Sequence, residues 1–119
     1  MKNILISEDN RDLSNTLFRA LTRFNFKVDV AFDGVQALDK LTNNKYDCVI
    51  LDVMIPRING FDVCKNMRVK GDHTPVLMLT AKAEDEDRAE GLAVGANIYM
   101  TKPFSLKELV DNIKELIEG

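Results

Sequence analysis

The chain has 119 residues, 45% of them hydrophobic and 29% charged, with a formal net charge of -3. That length argues for one domain with one sizeable core, and that composition excludes a mainly disordered chain. The slight acidic excess leaves no broad basic footprint for nucleic acid, and no apolar run approaches the ~20 residues of a membrane span.

In chain order, residues 3–6 form a short apolar strand. Leu13, Leu17, Ala20, Leu21 and Phe24 then recur at helical spacing across residues 10–24. Residues 26–31 alternate apolar and polar, as an edge strand does. A helix over 34–43 follows, with Val35, Leu38 and Leu41 on one face.

Residues 48–51 are continuously apolar and predict a strand buried on both sheet faces. Pro56, Asn59 and Gly60 punctuate a loop, and Phe61, Cys64 and Met67 mark the third helix. Residues 76–79 form a second fully buried strand. The two buried strands should flank the sheet centre.

Residues 84–94 predict a helix with an acidic first turn, which suits its macrodipole, and Gly95 ends it. Residues 98–100 form the last strand. Ser105 and Glu108 are placed as a capping box. Leu106, Leu109, Val110, Ile113, Leu116 and Ile117 give the last helix its apolar face.

Five strands alternate strictly with five helices. That pattern predicts an α/β fold, a parallel sheet with helices on both faces, in the flavodoxin-like order 2-1-3-4-5. No internal repeat, low-complexity segment or linker interrupts it. Cys48 and Cys64 read as buried reduced thiols. His73 is the only histidine, so a histidine-based metal site or triad has little to build on. The N-terminus has no signal-peptide pattern, and a cytoplasmic protein is expected.

The polar residues that follow the strands carry the chemistry. Glu8 and Asp9 follow the first strand, Asp52 the third, Thr80 the fourth and Lys102 the fifth. In an open parallel sheet, ligands bind outside the carboxyl ends of the strands. Three carboxylates, one hydroxyl and one ammonium therefore share one crevice. Two unit charges about 5 Å apart repel by roughly 3 kcal/mol at an effective dielectric of ~20. A proton, a cation or Lys102 must offset three such pairs. All-oxygen ligands suit Mg2+, and neither histidine nor cysteine is at hand to favour zinc.

The same inventory suits phosphoryl transfer, with Asp52 as nucleophile and Lys102 and Thr80 on phosphoryl oxygens. Each residue also has a plainer use. Glu8 and Asp9 could be an acidic helix start, Asp52 a loop acid, Thr80 an N-cap and Lys102 a solvated side chain. Their joint placement at four strand ends favours the functional reading.

Ordered motifs strengthen it. They are Ile-Leu-Ile-Ser-Glu8-Asp9, Asp47-Cys-Val-Ile-Leu-Asp52-Val-Met-Ile-Pro56, Asn59-Gly60-Phe61, Pro75-Val-Leu-Met-Leu-Thr80-Ala81, Gly95-Ala96 and Tyr99-Met-Thr-Lys102-Pro103-Phe104. Over essentially its whole length the chain resembles the receiver domain of two-component response regulators. It is closest to the subfamily with a C-terminal winged-helix DNA-binding domain.

The resemblance implies a CheY-like fold and a phosphoacceptor signalling domain that assists its own phosphorylation and dephosphorylation, rather than an enzyme. Asp52 would accept phosphate from a sensor histidine kinase. Mg2+ would be held by Asp9, Asp52 and the Met54 backbone carbonyl, with Glu8 assisting through water. Thr80 and Tyr99 would be switch residues acting on the face formed by the fourth helix, fifth strand and fifth helix, and Lys102-Pro103 would be cis. Met54 and Lys82 would influence phosphoaspartate hydrolysis. Residues 1–119 would form the receiver, which either stands alone or, as the favoured reading, precedes a transcriptional output domain that binds the DNA.

Three departures matter. Asn10 stands where many members carry a further acid, Asn97-Ile98 replaces an acidic pair, and Asn112 replaces a basic residue. The last two argue against a charge-paired homodimer through the switch face. A degenerate binding module, a flavin carrier and an aspartate-nucleophile phosphatase fit less well. The acidic set is intact, Glu8 and Asp9 would repel a flavin phosphate, and Met54 stands where the phosphatase needs a second acid.

Overall fold

The computed structural model describes residues 1–119. Its elements are β1 (Asn3–Ser7), α1 (Arg11–Arg23), β2 (Lys27–Ala31), α2 (Gly34–Asn43), β3 (Cys48–Leu51), α3 (Gly60–Val69), β4 (Val76–Thr80), α4 (Asp85–Ala93), β5 (Ile98–Thr101) and α5 (Leu106–Glu118). The strands are all parallel, in the order β2-β1-β3-β4-β5. β2 is an edge, as its alternating sequence predicts. β3 is itself the sheet centre, with β1 and β4 on either side of it. β1 is also buried on both faces.

Successive strand side chains point to opposite faces. The core is therefore two layers, not one. Ile4, Ile6, Cys48, Ile50, Leu77, Leu79 and Met100 pack with Leu17 and Leu21 of α1 and Leu109, Val110 and Ile113 of α5. On the other face, Leu5, Val49, Leu51, Val76, Met78 and Tyr99 pack with Ala37 of α2 and Val63, Cys64 and Met67 of α3. Each fully buried aliphatic side chain contributes about 1.5–3 kcal/mol. Both cysteines are buried and free.

Side-chain caps start four helices at the site end of the sheet. Asn10 accepts the Leu13 N–H at 3.1 Å, Asp33 that of Gln36 at 2.7 Å, Asn59 that of Asp62 at 3.0 Å and Ser105 that of Glu108 at 3.3 Å. Each cap satisfies an otherwise unpaired donor and fixes where the chain turns from strand to helix.

Helical spacing misplaced several side chains near helix ends. Val35 is exposed, and α2 buries Gly34 and Ala37 instead. Phe24 is exposed at the end of α1, with the Lys114 ammonium 5.4 Å from its ring centroid. Leu106 is exposed in the first turn of α5. At the start of α2 it is Gly34, not Val35, that lies against Ile58 of the loop after β3. The α5 cap also lacks the return bond from Glu108. The reciprocal arrangement forms at α4, where the Glu84 N–H donates to Asp87 Oδ2 at 3.3 Å.

Candidate functional site

Backbone bonds continue the sheet past its strands and lock the site residues in place. The Glu8 N–H donates to Ala31 O at 3.0 Å, Asp52 N–H to Ser7 O at 3.0 Å and Lys102 N–H to Thr80 O at 2.9 Å. The loop after β3 closes tightly on itself, with Gly60 N–H to Val53 O at 2.9 Å. A side chain at residue 60 would collide with the Asp52 carbonyl oxygen.

The sheet brings Glu8, Asp9, Asp52, Thr80 and Lys102 to one end. Lys102 Nζ lies 2.6 Å from Glu8 Oε1 and 2.9 Å from Asp52 Oδ2. Glu8 and Asp52 are only 3% and 5% exposed, whereas Asp9 faces solvent. Glu8 Oε2 accepts the Asn10 N–H at 3.1 Å, and Asp52 Oδ1 accepts the Met54 N–H at 3.0 Å.

Burial pushes the Glu8 carboxyl above its ordinary range, and the Asp52 charge adds to this. Lys102 and the Asn10 N–H pull it back only in part. For Lys102, desolvation favours the neutral amine, but the bonds and charges of Glu8 and Asp52 outweigh it and leave its pKa raised. The ammonium thus stays charged between its two partners. Removing it would strand two buried carboxylates, the expensive way to break a buried ion pair.

One ammonium against three carboxylates leaves an excess of negative charge. Glu8, Asp9 and Asp52 each offer an oxygen, and these oxygens lie within 4.8 Å of one another. Opposite ligands of an octahedral magnesium ion stand about 4.2 Å apart, twice its ~2.1 Å bond. Hard oxygen donors at that spread, with an uncompensated negative charge, fit a small divalent cation.

Thr80 is fully buried, and its Oγ1 accepts the Lys82 N–H at 3.3 Å. The Lys82 carbonyl accepts the Tyr99 hydroxyl at 2.8 Å. Lys82 thus touches both Thr80 and Tyr99 through its main chain, and its Nζ lies 3.6 Å from Asp87 Oδ1. Tyr99 is turned inward and buried. Arg88 donates to the Tyr99 carbonyl at 2.9 Å, with its guanidinium carbon 5.4 Å from the ring centroid. Met54 is 58% exposed. The Lys102-Pro103 peptide is cis.

Sequence reasoning missed the main-chain role of Lys82 and the contacts of Arg88, because neither leaves a pattern in residue type. The departures noted above have structural uses. Asn97 Oδ1 accepts the Val76 N–H at 2.9 Å and an Arg68 N–H at 3.2 Å. Asn112 Nδ2 donates to Met100 Sδ at 3.4 Å, and Ile98 packs against the α1/α5 layer.

Residues 4–114 match the family described as Response regulator receiver domain. The response regulator MprA of Mycobacterium sp. (strain KMS) is 43% identical over 114 residues, covering 96% of this chain and 50% of the relative. The chain thus spans about half the length of the curated relatives it matches. The Francisella response regulator 1452 receiver domain superposes with a TM-score of 0.96 at 31% identity, over 99% of this chain and 98% of that one. The receiver domain of sensor histidine kinase PA1611 from Pseudomonas aeruginosa PAO1, solved with a magnesium ion in its active-site cleft, gives 0.91 at 29% identity, over 99% and 98%. With the family matched along nearly all its length and the fold shared, this chain belongs to the receiver domains of two-component response regulators.

Proposed function

We propose that this receiver accepts a phosphoryl group on Asp52 from the phosphohistidine of a sensor histidine kinase, in a Mg2+-dependent reaction, and relays the change to its α4–β5–α5 face. What carries this reading is Lys102, whose ammonium engages Glu8 and Asp52 at once, beside the third carboxylate of Asp9.

An Asp52 carboxylate oxygen attacks phosphorus while the bond from phosphorus to the imidazole nitrogen breaks. The bonding electron pair leaves with that nitrogen, and an acyl phosphate forms on Asp52. Lys102 is close enough to exchange a carboxylate partner for a phosphoryl oxygen. Asp9, Asp52 and the Met54 backbone carbonyl would hold Mg2+, with Glu8 assisting. Once bound there, the ion supplies charge neutralisation at the phosphoryl oxygens.

Thr80 can donate its hydroxyl proton to a phosphoryl oxygen. A shift of Thr80 toward the phosphate gives up its bond from the Lys82 N–H, and the Lys82 carbonyl connects that loss to Tyr99. Lys82 and Met54, flanking the site, are the positions that would tune hydrolysis.

The doubled length of the relatives supports a receiver that forms one part of a longer cytoplasmic regulator. A winged-helix output domain would contact DNA and control transcription, while this domain contacts neither nucleic acid nor membrane. Any homodimer through α4, β5 and α5 would lack the charge pairs that Asn97, Ile98 and Asn112 cannot offer.

Intact mass after incubation with acetyl phosphate, with and without Mg2+, tests the core of this reading. A single Mg2+-dependent phosphoryl addition, absent in Asp52→Ala, is expected. No addition to folded protein, or an addition that survives in Asp52→Ala, would overturn it.

A further inference from the structure

Six glycines occur in the chain, and Gly91 is the only one inside a helix rather than at its start or outside it. A helix-interior glycine is normally a liability, because it costs backbone entropy and buries nothing. Here it is also the sole buried residue of α4. A β-carbon at this position would lie 2.6 and 2.8 Å from Tyr99 Cδ2 and Cε2, and 3.0 Å from Met78 Sδ. The Tyr99 ring thus occupies the space that any other residue 91 would fill.

Independent contacts hold the ring in this place. Its hydroxyl donates to the Lys82 carbonyl, the same residue whose N–H donates to Thr80 Oγ1. Arg88, one turn before Gly91 on α4, clasps the Tyr99 carbonyl. Met78 lies beneath, on β4, in the same apolar layer.

We propose that Gly91 is a positioning residue of the phosphorylation switch: the missing side chain makes the slot on α4 that admits the Tyr99 ring, so the size of residue 91 sets the balance between inward and outward Tyr99. This rests on the receiver reading for its consequence, but the slot itself is independent of phosphorylation. The smallest possible enlargement, Gly91→Ala, should expel the ring. That movement breaks the bond to Lys82 and uncouples Tyr99 from Thr80.

A double-mutant cycle tests the slot without phosphate. In the native background Gly91→Ala should lower the melting midpoint by about 5 °C, because the ring loses its place. In a Tyr99→Ala background the same change should raise the midpoint by a few degrees, since alanine is the better helix former and nothing occupies the slot. The chain has no tryptophan and two tyrosines, so Tyr99 ring resonances can be assigned by comparison with Tyr46→Phe. In Gly91→Ala they should move toward solvent-exposed values. Equal midpoint shifts in both backgrounds, or an unmoved Tyr99 ring, would overturn the proposal. Phosphoryl addition to Asp52 in Gly91→Ala is read separately by mass. Its loss in the native chain would sink the receiver reading and leave the slot standing.

Discussion

Two helices flank β5, and they are held by different physics. α5 has thirteen residues and buries Leu109, Val110 and Ile113. α4 has nine residues and buries only Gly91. Three buried aliphatic side chains contribute about 1.5–3 kcal/mol each, without direction. The bonds around α4, from Tyr99, Arg88 and Lys82, are directional, and each contributes roughly 0.5–1.5 kcal/mol net because water can replace it. A helix held that way can be released by changing one partner. The helix beside Thr80 and Tyr99 is thus the one the apolar core anchors least.

Core truncation should separate the two helices most strongly. Leu109→Ala should lower the unfolding free energy by about 2–5 kcal/mol, as other buried leucines do. Leu92→Ala on α4, at an exposed position, should stay within roughly 0.5 kcal/mol. Urea denaturation of both variants checks this. Similar losses would mean that α4 has an apolar anchor after all.

Native-state hydrogen exchange sharpens the same contrast without mutation. α4 lacks the roughly 4.5–9 kcal/mol of apolar burial that α5 has and its bonds make up only part of it, so its amides should open locally and exchange at least ~100-fold faster than those in the middle of α5. Matching protection in both helices would mean that α4 opens only when the whole domain unfolds.

The sequence made one side of this contrast plain and hid the other. The α5 stripe is legible because leucine, valine and isoleucine at helical spacing need a surface to cover. Glu8, Asp9, Asp52, Thr80 and Lys102 are legible as a group because a parallel sheet gathers whatever follows its strands at one edge. Lys102 bonding to Glu8, 94 residues away, leaves no trace in spacing. The role of Lys82 lies in its main chain, which residue type does not encode. Gly91 did carry a signal, a glycine inside a helical stretch, but its meaning depends on an aromatic ring from another element. Leu106 and Val35 show the converse, since each is an apolar residue at the right spacing that stays exposed.

The smallest effect concerns a single hydroxyl. Tyr99→Phe keeps the ring in its slot and removes only the bond to the Lys82 carbonyl, so it should cost about 1 kcal/mol at neutral pH. Its pH dependence tests whether the phenol is held as a buried neutral donor. Burial pushes the Tyr99 phenol above its ordinary value of 10.0, and the Asp87 charge adds to this while Arg88 opposes it. The folded state therefore holds that proton more tightly than the unfolded chain does. The stability it contributes is fully present below pH 10 and is lost as pH rises through the higher folded value. Tyr46, also raised by burial, and Cys48, pushed up to about 12, titrate in both chains and cancel from the comparison. The stability gap between the native chain and Tyr99→Phe, followed by urea denaturation from neutral to alkaline pH, should thus close above pH 10. A gap that stays constant would mean the hydroxyl is not bonded in solution. α4 would then be held by the ring in its slot and by Arg88, and the link from Tyr99 through Lys82 to Thr80 would have to run through packing instead.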